Sequence, residues 1–167
     1  FMQMDVRGLE HLRDLRTPVI FAANHPSHMD TPAILCALPA RWRYRVAPAM
    51  AKEFFKAHFN PQAFSRRAWL TNSLNYYLAC QFFNAFPLPQ REAGTRQTLR
   101  YIGEVLADSS SVLIFPEGRR SDDGVGRFMP GIGMIGSKLD VHVVPVRIEG
   151  LDTVLHPKMR FPKRGPV

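Results

Sequence analysis

The chain has 167 residues, 46% hydrophobic and 22% charged, with a formal net charge of +8. That length suits one domain with a substantial core, and the apolar share excludes a disordered chain. The charge is uneven: residues 41–67 hold seven Lys/Arg against Glu53, and residues 158–164 add four more without an acid. An anionic partner is expected, either a phosphorylated substrate, an acidic membrane surface or nucleic acid.

Residues 4–16 read as a short helix or as a strand with a loop, and Val19 to Ala23 as a buried strand. Pro32 to Leu38 reads as a short helix stopped by Pro39, with Thr31 as N-cap and Pro32 as first helical residue. Tyr44 to Ala47 is a second strand, interrupted by Pro48, and Met50 to Phe59 is helix-like. Residues 61–83 form a long aromatic helix opened by Pro61. Its apolar face is read first as core packing. The alternative is an interfacial helix, with Arg66 and Arg67 on phosphates beside Trp69. Ala85 to Leu88 is a short strand and Thr95 to Ala107 an amphipathic helix. Val112 to Phe115 is an apolar strand, residues 116–126 a polar loop, and Gly131 to Leu139 a Gly-rich helix. Val141 to Ile148 is a last strand, ended by Gly150. Strands separated by helices predict an α/β fold with a mixed, largely parallel central sheet flanked by helices.

Cys36 and Cys80 sit among apolar neighbours and read as buried free thiols, which fits a reducing, cytoplasmic compartment. No run of about 18 apolar residues predicts a transmembrane helix, and no basic segment followed by an apolar run marks a secretory signal. Both ends look cut, so a piece of a longer chain is expected.

The chemistry concentrates in Asn24-His25-Pro26-Ser27-His28-Met29-Asp30, between the first strand and the first helix. His25 and Asp30 are expected in the turn. An imidazole takes a proton near neutral pH, its unperturbed pKa being about 6.5. A carboxylate on the far ring nitrogen fixes the tautomer and stabilises the imidazolium. Such a dyad lacks a nucleophile of its own, so the substrate must bring the hydroxyl. Equally, Asp30 could cap the helix with His25 incidental. A metal site of His25, His28 and Asp30 is disfavoured, because no Cys pair or second His cluster stands at ligand spacing.

A second cluster, Phe115-Pro116-Glu117-Gly118-Arg119-Arg120-Ser121, follows the apolar strand. Ligands usually bind at the carboxyl end of strands in such a sheet. Gly118 allows close backbone approach, and guanidinium forks match phosphate oxygens. Arg91, after the Ala85 strand, could reach the same edge, although a single Arg there is more often without such a role. The interleaved Arg-Trp-Arg-Tyr-Arg of residues 41–45 suggests a nucleic-acid stacking surface, but no recognised fold motif accompanies it. No nucleic-acid partner is expected.

Together these blocks resemble the glycerolipid acyltransferases, the glycerol-3-phosphate and 1-acylglycerol-3-phosphate acyltransferase (PlsC-like) superfamily. His25 to Asp30 is similar to that family's His-four-residues-Asp signature, and Phe115 to Ser121 to its Phe-Pro-Glu-Gly block. Arg91 matches the Arg closing its second block. Ala51-Lys52-Glu53 resembles its Lys-containing segment, and Val143-Val144-Pro145-Val146 its fourth block. Arg119 stands where Thr or Ser is usual, and Gln90 replaces the common Asp before Arg91.

The resemblance implies one acyltransferase domain over residues 1–167, truncated at its C-terminal end and part of a larger chain. It implies transfer of a fatty acyl group from acyl-CoA or acyl-carrier protein, as co-substrate, to a glycerolipid hydroxyl. No further cofactor or metal is called for. His25 would be the general base and Asp30 its orienter. Arg91, Glu117, Gly118, Arg119 and Lys52 would build the acceptor site, and Pro145 would lie near the acyl chain. The expected location is peripheral, on the cytoplasmic face of an anionic membrane. The competing expectation is a non-catalytic basic module that binds such membranes within a larger protein.

Overall fold

The computed structural model describes residues 4–27, 29–89, 95–118 and 126–154. The described strands are β1 (Ile20–Ala23), β2 (Val46–Ala51), β3 (Phe86–Leu88), β4 (Ser111–Ile114) and β5 (Val143–Val146). The helices are α1 (Asp30–Ala37), α2 (Ala40–Arg43), α3 (Lys56–Phe59), α4 (Arg66–Phe83), α5 (Thr95–Ala107), α6 (Gly131–Leu139) and α7 (Leu151–Val154). Residues 4–16 supply one 3-10 turn, Leu9–Leu12. The strands form one sheet in the order β3-β2-β4-β1-β5, and every described pairing is parallel.

β1 lies near the centre of the sheet and is buried along its whole length. A parallel strand covered on both faces must be apolar throughout, which is why Ile-Phe-Ala-Ala needs no alternation. Side chains of successive residues still point to opposite faces. Val19, Phe21 and Ala23 join Ile34, Trp42 and Leu113 in one core, while Ile20 joins Ile102, Leu106, Val112 and Ile135 in the other. Helices α1 and α2 thus cover one face, and α5 and α6 the other.

Several boundaries differ from the sequence expectation for local reasons. β2 does not stop at Pro48. Its first half pairs with β4 and its second half with β3, and Pro48 sits at the changeover. The missing proline N–H therefore falls where few ladder bonds are required. The chain from Lys52 to Phe59 is a 3-10 turn followed by a single turn of α-helix. Pro61 opens only a 3-10 turn; α4 starts at Arg66, where Ser65 Oγ accepts the Ala68 N–H at 3.2 Å.

The thiols are not both buried as expected: Cys36 is exposed and Cys80 half-buried, both free. Part of the basic patch is spent on structure. Arg43 donates to the carbonyls of Cys36 and Leu38 at 2.8 and 3.1 Å, satisfying the end of α1. Arg41 donates to the carbonyls of Leu12 and Arg13. Trp42, between them, is 1% exposed and meets Phe21 edge-on at 5.6 Å, so it is core and not a stacking platform.

Removing that indole should leave a large cavity. Trp42→Ala is expected to destabilise the fold by about 3–5 kcal/mol in urea unfolding. A change below about 1 kcal/mol would show that the ring is not packed as described.

Candidate active site

All five strands point the same way, so their carboxyl ends share one edge of the sheet. The turn after β1 carries His25, and the turn after β4 carries Phe115 to Gly118. Asp30 is not in the turn, as the sequence suggested, but is the first residue of α1. Thr31 and Pro32 therefore lie within the first turn, and Met29 takes the cap position without a side-chain bond. Pro32 is tolerated there because first-turn N–H groups lack intrahelical partners anyway.

The Asp30 side chain is fully buried, and the helix N-terminus favours its negative charge. Its two oxygens accept the Ser27 backbone N–H at 3.1 and 3.0 Å. Oδ2 also meets His25 Nδ1 at 2.7 Å. A carboxylate only accepts, so Nδ1 carries the proton, and in the neutral ring the lone pair lies on Nε2. The His25 side chain is 27% exposed, so the ring is within reach of solvent. Phe115 stacks on it, ring centroids 4.2 Å apart and planes 24° from parallel.

Three supporting residues escaped the sequence reading: Asn24, Ser27 and Phe115. Asn24 Oδ1 accepts the Ile148 N–H at 2.7 Å, and its Nδ2 donates to the Ile148 carbonyl at 2.9 Å. It ties the end of β1 to the chain leaving β5, and it is 2% exposed. A polar amide closing an apolar strand, directly before the His, is the one sequence signal that could have found it. The Ser27 contribution is a backbone group, which no side-chain pattern announces.

Glu117 is buried, and neither carboxylate oxygen has a hydrogen-bond partner among the described residues. A carboxylate in that state needs a donor or cation. Gly118 adopts φ +67°, and a Cβ there would meet the Met129 side chain. Gly126 passes so close that a Cβ would lie 2.7 Å from Glu117 Oε2. Lys52 begins the 3-10 turn after β2, with its ammonium 5.1 Å from the Phe59 ring centroid. Pro145 lies in β5, in register with Ala22, and is exposed. Arg91, Arg119 and His28 fall outside the described residues, as does the basic stretch 158–164. No group of three His, Cys, Asp or Glu that could hold a metal occurs among the described residues.

Residues 3–149 match the family model described as Acyltransferase. The chain belongs to this acyltransferase family. Among relatives, it is 26% identical over 158 residues to the chloroplastic 1-acyl-sn-glycerol-3-phosphate acyltransferase LPAT1 of Arabidopsis thaliana, covering 93% of this chain and 38% of the relative. It is also 26% identical to the chloroplastic 1-acyl-sn-glycerol-3-phosphate acyltransferase BAT2 of Brassica napus, over 93% of this chain and 40% of that protein. The crystal structure of PlsC, the 1-acyl-sn-glycerophosphate acyltransferase of Thermotoga maritima, superposes with a TM-score of 0.63 at 25% identity. That match covers 99% of this chain and 56% of the PlsC chain. The chain thus has the PlsC-like α/β fold and sits in the PlsC-like, glycerolipid acyltransferase superfamily. It spans about two fifths of the two plant relatives.

The scaffold makes two stability predictions. Asn24→Ala strands a buried amide and carbonyl at Ile148 and should cost about 1–3 kcal/mol in thermal unfolding. Gly118→Ala forces a side chain into the left-handed region and should cost about 1–2 kcal/mol by the same assay.

Proposed function

We propose that this acyltransferase domain moves a fatty acyl group from acyl-CoA or acyl-carrier protein to the hydroxyl of a glycerolipid such as 1-acylglycerol-3-phosphate. The observation that carries this is the 2.7 Å bond between His25 Nδ1 and a fully buried Asp30 carboxylate. It leaves a basic Nε2 with no Ser or Cys bonded to it among the described residues, which supports an acceptor that brings its own hydroxyl. The plant relatives and PlsC, which are 1-acyl-sn-glycerol-3-phosphate and 1-acyl-sn-glycerophosphate acyltransferases, support the same acceptor class.

The steps balance without a covalent enzyme intermediate. Nε2 takes the acceptor O–H proton as the oxygen attacks the thioester carbonyl. The tetrahedral intermediate collapses, the C–S bond breaks, and the thiolate takes the proton back from the imidazolium. Asp30 holds the imidazolium in place throughout. General base catalysis contributes about 10²–10⁴-fold. Holding donor and acceptor together and stabilising the oxyanion supply the rest. Glu117, Gly118, Arg91 and Arg119, with Lys52, would bind the acceptor's phosphate and glycerol, and Pro145 would lie near the acyl chain. The buried Glu117 carboxylate without a described partner supports a donor group arriving at that place.

The domain would work peripherally, at the cytoplasmic face of an anionic membrane where a glycerolipid acceptor resides. No described helix is long and apolar enough to cross a membrane. A non-catalytic membrane-binding module would have no use for a solvent-accessible imidazole held by a buried carboxylate.

The test is release of free thiol from acyl-CoA mixed with lysophosphatidate. His25→Ala should lower the rate by at least about 10²-fold while circular dichroism stays unchanged. Asp30→Asn should lower kcat more than it changes KM. Full activity in a folded His25→Ala protein would remove the assigned base.

A further inference from the structure

Helix α4 turns two polar side chains towards the protein and a row of large apolar ones outwards. Among its side chains, Asn72 and Ser73 point towards the protein. Asn72 accepts the His58 backbone N–H at 3.0 Å and donates to the Phe54 carbonyl at 3.0 Å, and Ser73 Oγ meets His58 Nδ1 at 2.9 Å. Tyr76 stacks on the same imidazole at 4.2 Å. Burial and the Cys80 thiol beside it raise the Tyr76 phenol above its ordinary value, as befits the covered side. The opposite side is a ridge at four-residue spacing, Leu70, Leu74, Leu78 and Phe82, exposed by 63, 57, 42 and 76%.

Soluble surface helices place such a ridge inwards. Large side chains in contiguous exposure mark an interaction face. Here the sequence expectation of core packing fails: among the described residues α4 packs mainly against α3 and the 3-10 turn after β2, and the ridge stays exposed.

Charge selects what covers it. From Lys52 to Phe83 the basic residues Lys52, Lys56, Arg66 and Arg67 stand against Glu53, and α4 itself contains no acid. Arg66 continues the leucine ridge at the same four-residue spacing, and Arg67 is exposed beside it. Apolar side chains flanked by guanidinium groups fit the boundary between acyl chains and anionic headgroups. A protein partner would have to supply both an apolar groove and acids at one end, whereas an anionic bilayer supplies both over its whole area. The segment leaves the sheet at the carboxyl end of β2, the edge that carries the His25–Asp30 pair.

From this we infer that the outward ridge of α4, with Arg66 and Arg67, is the face by which the domain lies on an anionic lipid bilayer. The inference takes its lipid from the proposed acceptor class and so rests on that reading. Binding and turnover are therefore read separately.

The probe is sedimentation with vesicles of phosphatidylcholine mixed with phosphatidylglycerol, and with phosphatidylcholine alone. The protein should bind the mixed vesicles, less so as salt rises. Arg66→Glu with Arg67→Glu should weaken partitioning at least about 30-fold, from about 1 kcal/mol for each basic side chain removed. Acids in a first helical turn are favourable, so folding should not suffer. Leu70→Gln, Leu74→Gln and Leu78→Gln together should abolish vesicle binding, since Gln keeps helix propensity while removing the apolar ridge. Thermal unfolding should be unchanged in both variants, as should His25-dependent thiol release with a monomeric short-chain lysolipid. Equal vesicle binding by wild type and the Gln variant would overturn the inference. So would a wild-type dimer in size-exclusion chromatography that the Gln variant converts to monomer, which would assign the ridge to a second copy. Vesicle binding without any thiol release would instead overturn the acyltransferase reading and leave the docking face standing.

Discussion

A buried carboxylate is the constraint on which the site depends. Asp30 is removed from water, and an isolated ionised carboxyl there would be costly by several kcal/mol. Three things offset that cost: the start of α1, the Ser27 N–H and His25. Each fixes a different coordinate of the imidazole. The helix sets where the carboxylate sits, Ser27 sets its tilt, and the carboxylate then sets the ring's tautomer. Phe115 holds the plane from below.

The parallel sheet gathers these parts. β1 delivers the His25 turn and β4, its neighbour, delivers Phe115 to Gly118. Neighbouring parallel strands bring their following turns together at one edge, which is why residues 90 positions apart in sequence stack ring on ring. The other neighbour, β5, is fastened to β1 through Asn24 and Ile148, 124 residues apart. A single amide side chain satisfies both backbone groups of Ile148 at a point where the strands have already separated. Backbone groups buried there would otherwise lack partners.

The segment between β2 and β3 obeys a different rule. In an ordinary α/β crossover the helix lays its apolar stripe on the sheet. Here α4 uses Asn72 and Ser73 to bind α3 and the preceding turn, and its leucines face away. The outward apolar side sets this segment apart from α5, whose Ile102 and Leu106 lie in the core. Both helices are crossovers of one sheet, and they differ in what surrounds them.

Much was legible before any coordinates. The bounds of α5 and α6 and the alternation of strands and helices follow from local periodicity, since apolar residues at fixed spacing can face a core in only one way. The spacing of His25 and Asp30 across a strand-to-helix turn allowed those two side chains to meet, but equally allowed Asp30 to cap the helix with His25 incidental; the tertiary structure decided for the 2.7 Å bond. Non-local packing decided the rest. The sequence could not say that Trp42 turns into the core while its flanking arginines cap carbonyls, nor which side of α4 is covered. It could not place Phe115 under His25 or Asn24 on Ile148, because those contacts join segments whose relative position exists only once the sheet has formed. Periodicity tells a side chain which way it points from its own backbone; what it meets there is set by the neighbours that folding brings.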